Sequence, residues 1–252
     1  MKTQTNFIAI NARIVWFCLW SLLVVGMLHA ASAWADPVGT VTDVSGPLVA
    51  RKADGVLKAL SQKSTVDAGD VLQTEAKTYA RIRFIDNSEI TLKPNTQFKI
   101  DDFSYDEAKP DTDSSVFSLI KGGLRSITGL LGKRNKEKFK MNTPVATIGI
   151  RGTNFGALFC QSDCGSVPTP SGSAPQNGLY VDVSEGQIVV ANGAGSQEFS
   201  AGQFGFVANL NTPPVILPPT SGLPVTMPLN LTNPGPDAPN ANGPGDVDCV
   251  VR

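Results

Sequence analysis

The chain has 252 residues, 41% of them hydrophobic, and 21 Lys+Arg against 22 Asp+Glu, which fits one globular domain with appendages. Its only histidine, His29, falls in an N-terminal stretch that reads as an export signal, so the mature chain is expected to contain none. That excludes histidine triads, histidine general bases and histidine-containing metal sites.

Residues 1–35 carry the signal pattern. Lys2 and Arg13 bound a polar start, Ile14 to Leu28 is mostly apolar, and Ala31-Ser32-Ala33 or Ala33-Trp34-Ala35 offers small residues for cleavage. Cleavage after Ala35 would leave 217 residues with net charge -3. The alternative is an uncleaved membrane anchor at the short end of spanning length. Cys18, preceded by Val15-Trp16-Phe17, lacks the small residues of a lipid-modified cysteine. Nothing precedes the domain except this signal, so no cytoplasmic segment is expected.

Beyond Asp36 the pattern is strand throughout. Ala80, Ile82 and Phe84 alternate with Arg81 and Arg83, Asp86-Asn87-Ser88 turns the chain into Glu89 to Lys93, and Pro94-Asn95 turns it again into Thr96 to Ile100. This predicts a three-stranded meander with both arginines on the face away from the core. The single candidate helix lies near Leu124 to Leu131, weakened by Gly129. Val41 to Ala50 echoes Val181 to Ala191, each reading as strand, glycine turn, strand, and Val116 to Ile127 around Gly122-Gly123 forms a third copy. Asp67 to Leu72 and Ser200 to Gly205 repeat a further glycine turn. The expected architecture is all-β, with antiparallel hairpins stacked as a sandwich or short solenoid-like domain over residues 36–210.

Charge is uneven along the chain. Residues 36–151 hold 18 basic and 15 acidic side chains, whereas 152–251 contain no Lys or Arg and seven acids. The basic excess peaks at Lys133 to Lys140, where alternation with Phe139 and Met141 suggests the solvated face of a strand; contact with an anionic lipid, a glycan or an acidic partner is the functional alternative. Gly149 and Gly152 point to a bulge or close backbone approach, and Arg151, the last basic residue for 100 positions, is expected to meet acids of the second half.

Export favours disulfides. Cys160 and Cys164 could close a small loop, too widely spaced for a redox pair and without a fourth ligand for zinc; Cys249 is left odd. Ten of the 18 prolines fall between Pro213 and Pro244, so residues 211–252 read as a disordered tail, a spacer or a polyproline ligand. Ser118-Leu119-Ile120-Lys121 lacks the companion segments of penicillin-binding enzymes. Asp86 and Glu89, and the acids from Asp101 to Asp113, fit neither a glycosidase pair nor a calcium loop and read as solvated loop residues.

Several elements together resemble the FecR domain family: Gly39-Thr40-Val41 through Gly46, Ala68-Gly69-Asp70-Val71-Leu72-Gln73-Thr74, Ala80 to Ser88 with Leu92 to Thr96, Gly122-Gly123-Leu124, Thr143-Pro144-Val145-Ala146, Arg151-Gly152-Thr153-Asn154-Phe155, and Val183-Ser184-Glu185-Gly186. The resemblance covers about residues 38–208. It implies an exported β domain with a binding or sensing role, without the anti-sigma segment of the transmembrane regulators that name the family. The expectation is a non-catalytic module, periplasmic or secreted, with no cofactor, metal or nucleic acid and no membrane span after signal cleavage. Its partner would be an envelope protein or glycan, met first by Arg81, Arg83 and Arg151. A structural or surface-tethered envelope protein is the alternative.

Overall fold

The computed structural model describes residues 36–228 apart from 166, 168, 170 and 171. The signal reading of residues 1–35, Cys249 and the tail beyond 228 lie outside the described residues. Strands account for about half of the described residues: β1 (Gly39–Val44), β2 (Leu48–Arg51), β3 (Leu57–Leu60), β4 (Thr65–Val66), β5 (Val71–Thr74), β6 (Ala80–Phe84), β7 (Glu89–Leu92), β8 (Gln97–Ser104), β9 (Ser114–Ile127), β10 (Phe139–Asn142), β11 (Thr147–Ile150), β12 (Asn154–Cys160), β13 (Gly178–Glu185), β14 (Gln187–Asn192), β15 (Gly195–Ser200), β16 (Phe204–Val207) and β17 (Val215–Leu217). The fold is all-β, as the period-two pattern predicts.

The 17 strands form one continuous sheet that doubles over at β9 into two layers. The first layer runs β4-β1-β6-β7-β9-β12-β13-β16-β17. The second runs β3-β2-β5-β8-β9-β10-β11-β14-β15. Every pairing is antiparallel except β9 with β10.

The internal echo has a different meaning from the expected hairpins. β1 and β2 do not pair with each other, nor do β13 and β14; each glycine turn carries the chain from the first layer to the second. The third copy does the same within one strand. The N-terminal half of β9 pairs with β8 and its C-terminal half with β7 and β12. At the crossing, Gly122 has φ +80°, and a Cβ there would come within 2.7 Å of Thr96 Cα. Thr96 fastens the corner by donating from Oγ1 to Gly123 O (2.9 Å) and accepting from Gly123 N (3.0 Å). Only glycine tolerates both that φ and that approach.

The meander is corrected for the same reason. β6 and β7 form a hairpin, but β8 leaves the first layer and pairs with β5 and β9 in the second. Alternation along one strand shows which face is apolar and says nothing of which layer the strand joins.

Between the layers lies the main core. Phe84 of the first layer sits 4.9 Å from Phe103 and 5.2 Å from Phe117 of the second, and Phe139 meets Phe155 edge-on at 6.3 Å. Val41, Ile82, Ile90, Leu72, Phe98, Ile148, Ile188 and Phe199 complete a single buried cluster. Each fully buried large side chain contributes about 1.5–3 kcal/mol.

Three further expectations change. The helix is α1 (Leu130–Arg134), with Gly129 at its N-cap, while residues 124–127 belong to β9. Asp86 explains the start: its carbonyl accepts from Leu130 N (2.8 Å) and its carboxylate from Leu131 N (3.2 Å), and a Cβ on Gly129 would strike this turn. The basic run is strand only from Phe139; Lys133 and Arg134 end α1, and Lys136–Lys138 is a 3-10 turn. The tail boundary moves as well, because β17 pairs with β16 and Leu223, Val225 and Met227 are buried.

Candidate partner-binding surface

The two outer faces are built from different residues. Leu158 on β12 and Tyr180 on β13 point outward from the first layer and need a cover. It comes from Cys160, Cys164 and Val167 on one side and Leu223, Val225 and Met227 on the other, making a second apolar cluster. Cys160 and Cys164 are joined, as their spacing suggests, and both are buried within this cluster.

Beneath the cover runs a polar row across the layer. Register places Asp43, Arg81, Thr91, Arg125, Gly156 and Asp182 side by side on β1, β6, β7, β9, β12 and β13. Arg125 reaches over Gly156 to Asp182 at 2.6 Å, and it also donates to Asn154 Oδ1 (2.8 Å) and Ser184 Oγ (2.6 Å). A Cβ on Gly156 would collide with the Asp182 carboxylate and lie 2.5 Å from Val225 Cβ. Burial pulls the Lys93 ammonium nearby below its ordinary value, Asp182 opposing that shift and Arg125 adding to it. A cavity of about 290 Å³ lies beside Lys93, floored by Gly122 and Gly123 and roofed by Pro224 and Thr226.

This row corrects the expected site. Arg81 is 8% exposed, held within the layer between Asp43 and Thr91, because β6 is an inner strand whose outer face is crowded by its neighbours. Arg83, two residues on, has a side chain 47% exposed and pairs with Glu89 at 2.6 Å. Arg151 lies on the second layer's side, following β11, with its side chain 56% exposed and 3.9 Å from Glu198. The three arginines therefore do not form one surface. Asp86, Glu89 and Asp113 are buried rather than solvated. Asp113 accepts from Arg134 at 2.6 and 2.8 Å, which holds its carboxyl below the ordinary value, and Arg134 also lies 4.6 Å over the Tyr105 ring.

Among the described residues, the second layer carries no such cover around β10, β11 and β14. Thr147, Gly149, Val189 and Ala191 line the floor of an open groove of about 530 Å³, with Lys136, Lys140 and Arg151 at its walls and Glu137 as its acid. Among the described residues, Lys136 and Lys140 make no ion pair. A Cβ on Gly149 would meet only Val189 O, at 3.9 Å, so the floor is unencumbered there. The chemistry offered is two ammonium groups and a guanidinium around a shallow, small-residue floor, which suits carboxylates or phosphate-like groups. Among the described residues, no cluster of His, Cys, Asp and Glu could hold a metal ion, and no helix is long and apolar enough to cross a membrane.

Residues 70–189, from just before β5 to within β14, match the family model described as FecR protein. The chain carries a FecR domain. The residues that carry the family resemblance prove to be fasteners of the two-layer fold. Asp70 accepts from Asp67 N (2.9 Å) and from Lys52 (2.7 Å), and Thr74 ties the Lys93-to-Thr96 turn by donating to Lys93 O (2.6 Å) and accepting from Thr96 N (2.9 Å). Thr143 closes its own turn against Ala146, while Thr153 N donates to Thr128 Oγ1 (2.9 Å). Two crystal structures of a protein described as a "putative anti-sigma factor" from Parabacteroides distasonis ATCC 8503 align at TM-score 0.43 and 14% identity, covering 58% of each chain. A structure described as a cell surface anchoring domain aligns at TM-score 0.25 and 16% identity, over 25% of this chain and 83% of its own. No curated protein matches.

Proposed function

We propose that the FecR domain of this chain is a non-catalytic binding or sensing module of the cell envelope, exported to the periplasm or beyond, and that it recognises a protein or glycan presenting carboxylates. The observation that carries this reading is the convergence of Lys136, Lys140 and Arg151 on an open groove lined by Thr147, Gly149, Val189 and Ala191, with Phe139 and Ile150 beneath. The buried acids, in contrast, serve turns and ion pairs of the fold: Asp70 its turn, Asp86 the start of α1, Asp113 the Arg134 anchor and Asp182 the bridge to Arg125. Export is supported by the signal pattern of residues 1–35 and by the Cys160–Cys164 bond, which suits an oxidising compartment.

Arg81 has no place in this reading and Arg83 is committed to Glu89, so Arg151 alone remains of the expected trio. Isothermal titration of the full mature chain with an oligogalacturonate, and separately with an oligoglutamate peptide, tests the groove and separates glycan from protein partners. Binding that weakens with added salt and is lost on changing Lys136, Lys140 and Arg151 to Ser is the expected result. Undiminished binding by the triple variant refutes the site.

A further inference from the structure

The segment from Leu223 to Met227 is held on the first layer in a way that does not depend on most of its own sequence. Leu223, Val225 and Met227 alternate into the apolar cluster, while Pro224 and Thr226 face solvent. Its polar contacts to the layer use backbone atoms alone. Val225 N donates to Asp182 Oδ1 at 3.0 Å, Arg125 donates to Val225 O at 3.4 Å, and Lys93 Nζ donates to Thr226 O at 3.1 Å. One carboxylate reads a backbone N–H of the strap and two cations read its carbonyls, while the strap folds back at Val225 through a bond from Thr226 N to Pro224 O (3.0 Å). Side-chain specificity is limited to three large apolar groups at positions i, i+2 and i+4.

We propose that this groove is a peptide-binding site filled in cis, and that it also takes a segment of a partner protein that presents large apolar side chains at alternate positions. Three features of the layer support an exchangeable occupant. The groove's polar groups are arranged on the sheet independently of the strap: Arg125 and Asp182 are already paired at 2.6 Å across Gly156, so the face stays charge-balanced when the strap leaves. The occupant is not hydrogen-bonded into either sheet as a strand, since β17 ends at Leu217 and a Pro218-Pro219 step separates it from the strap. The cavity beside Lys93 continues the groove past Thr226 and leaves room for a bulkier occupant. This mode differs from adding a strand to a sheet edge, because here side chains of the sheet face bind the peptide backbone.

The test uses the full mature chain with Leu223, Val225 and Met227 changed to Ser, which frees the strap, and a fluorescent peptide Ser-Gly-Leu-Pro-Val-Thr-Met-Pro copied from residues 221–228. Anisotropy should show the peptide binding the freed variant at least ~10-fold more tightly than wild type, whose groove its own strap occupies for most of the time. An unrelated peptide that keeps apolar residues at alternate positions should bind as well, and one with the same composition but adjacent apolar residues should not. Gly156→Ala in the freed background should abolish binding of the copied peptide and of the unrelated alternating one. Should the triple variant not fold by circular dichroism, Val225→Thr, which preserves side-chain volume, carries the same comparison. A folded, freed variant that ignores the peptide, or that binds the rearranged one equally, overturns the proposal. Wild-type chains that run as dimers by tail exchange, with no peptide capture, would assign the groove to a second copy and overturn it too.

Discussion

Leu158, Cys160 and Tyr180 face outward from the first layer, whereas Thr147, Gly149, Val189 and Ala191 line the outer groove of the second. The first set cannot be left in water at little cost, so the chain spends a disulfide loop and some ten residues of its C-terminal segment covering it. The second set is small or only moderately apolar and is ringed by Lys136, Lys140 and Arg151. One fold thus builds a closed face held by structural contacts and an open face edged with charge, and the proposed recognition site lies on the second.

The sharpest way to break the contrast is at Gly156. Changing it to Val drives a side chain into Asp182 and Val225, displaces the strap and forces Arg125 and Asp182 apart. A loss of about 3 kcal/mol is expected from overpacking plus a strained buried ion pair, read as a lowered urea midpoint. The corresponding change on the open face, Gly149→Val, meets no such wall and should cost much less.

Reducing the Cys160–Cys164 bond should come next, at about 2 kcal/mol for so short a loop. Because both sulfurs sit in the covering cluster, its effect should be local: thermolysin cleavage near Leu223 should speed up before the main core opens. Trypsin cannot report this, since residues 152–251 contain no Lys or Arg.

A smaller effect depends on pH. Asp113 has its pKa lowered by hydrogen bonds from Arg134, so the pair's contribution is fully present above the ordinary carboxylate value of about pH 4 and is lost as pH falls through the depressed value. Asp113→Asn should lower the thermal midpoint at neutral pH and flatten its decline as pH falls below about 4. The smallest effect is predicted on the open face. Lys140→Ser should shift stability by no more than about 0.5 kcal/mol while weakening capture of an acidic ligand.

The strands and their turns were legible in sequence through alternation and through the glycine echoes, because both reflect local backbone demands. What those echoes did was not legible: a glycine turn that closes a hairpin and one that switches layers look alike in sequence, and only strand pairing distinguishes them. Arg81 was placed correctly on the face away from the main core and wrongly in solvent, since alternation cannot report how crowded that face becomes. The Arg125–Asp182 bridge went unread for a related reason: its partners lie 57 residues apart and meet only once β9, β12 and β13 are in register. Asp182 did leave a signal, a lone charge inside the apolar run Leu179 to Val183. The ordered part of the tail was hidden by its prolines, which exclude a sheet ladder but allow an extended strap held by side chains.

The most direct test of the open and closed faces is a map of backbone amide shifts in the isotope-labelled mature chain, titrated with oligogalacturonate or oligoglutamate, whichever binds. The account predicts perturbations grouped on Lys140, Thr147, Gly149, Arg151, Val189 and Ala191, with Leu158, Tyr180 and Asp182 unmoved. Perturbations grouped on β12 and β13 instead, with the second layer silent, would contradict it.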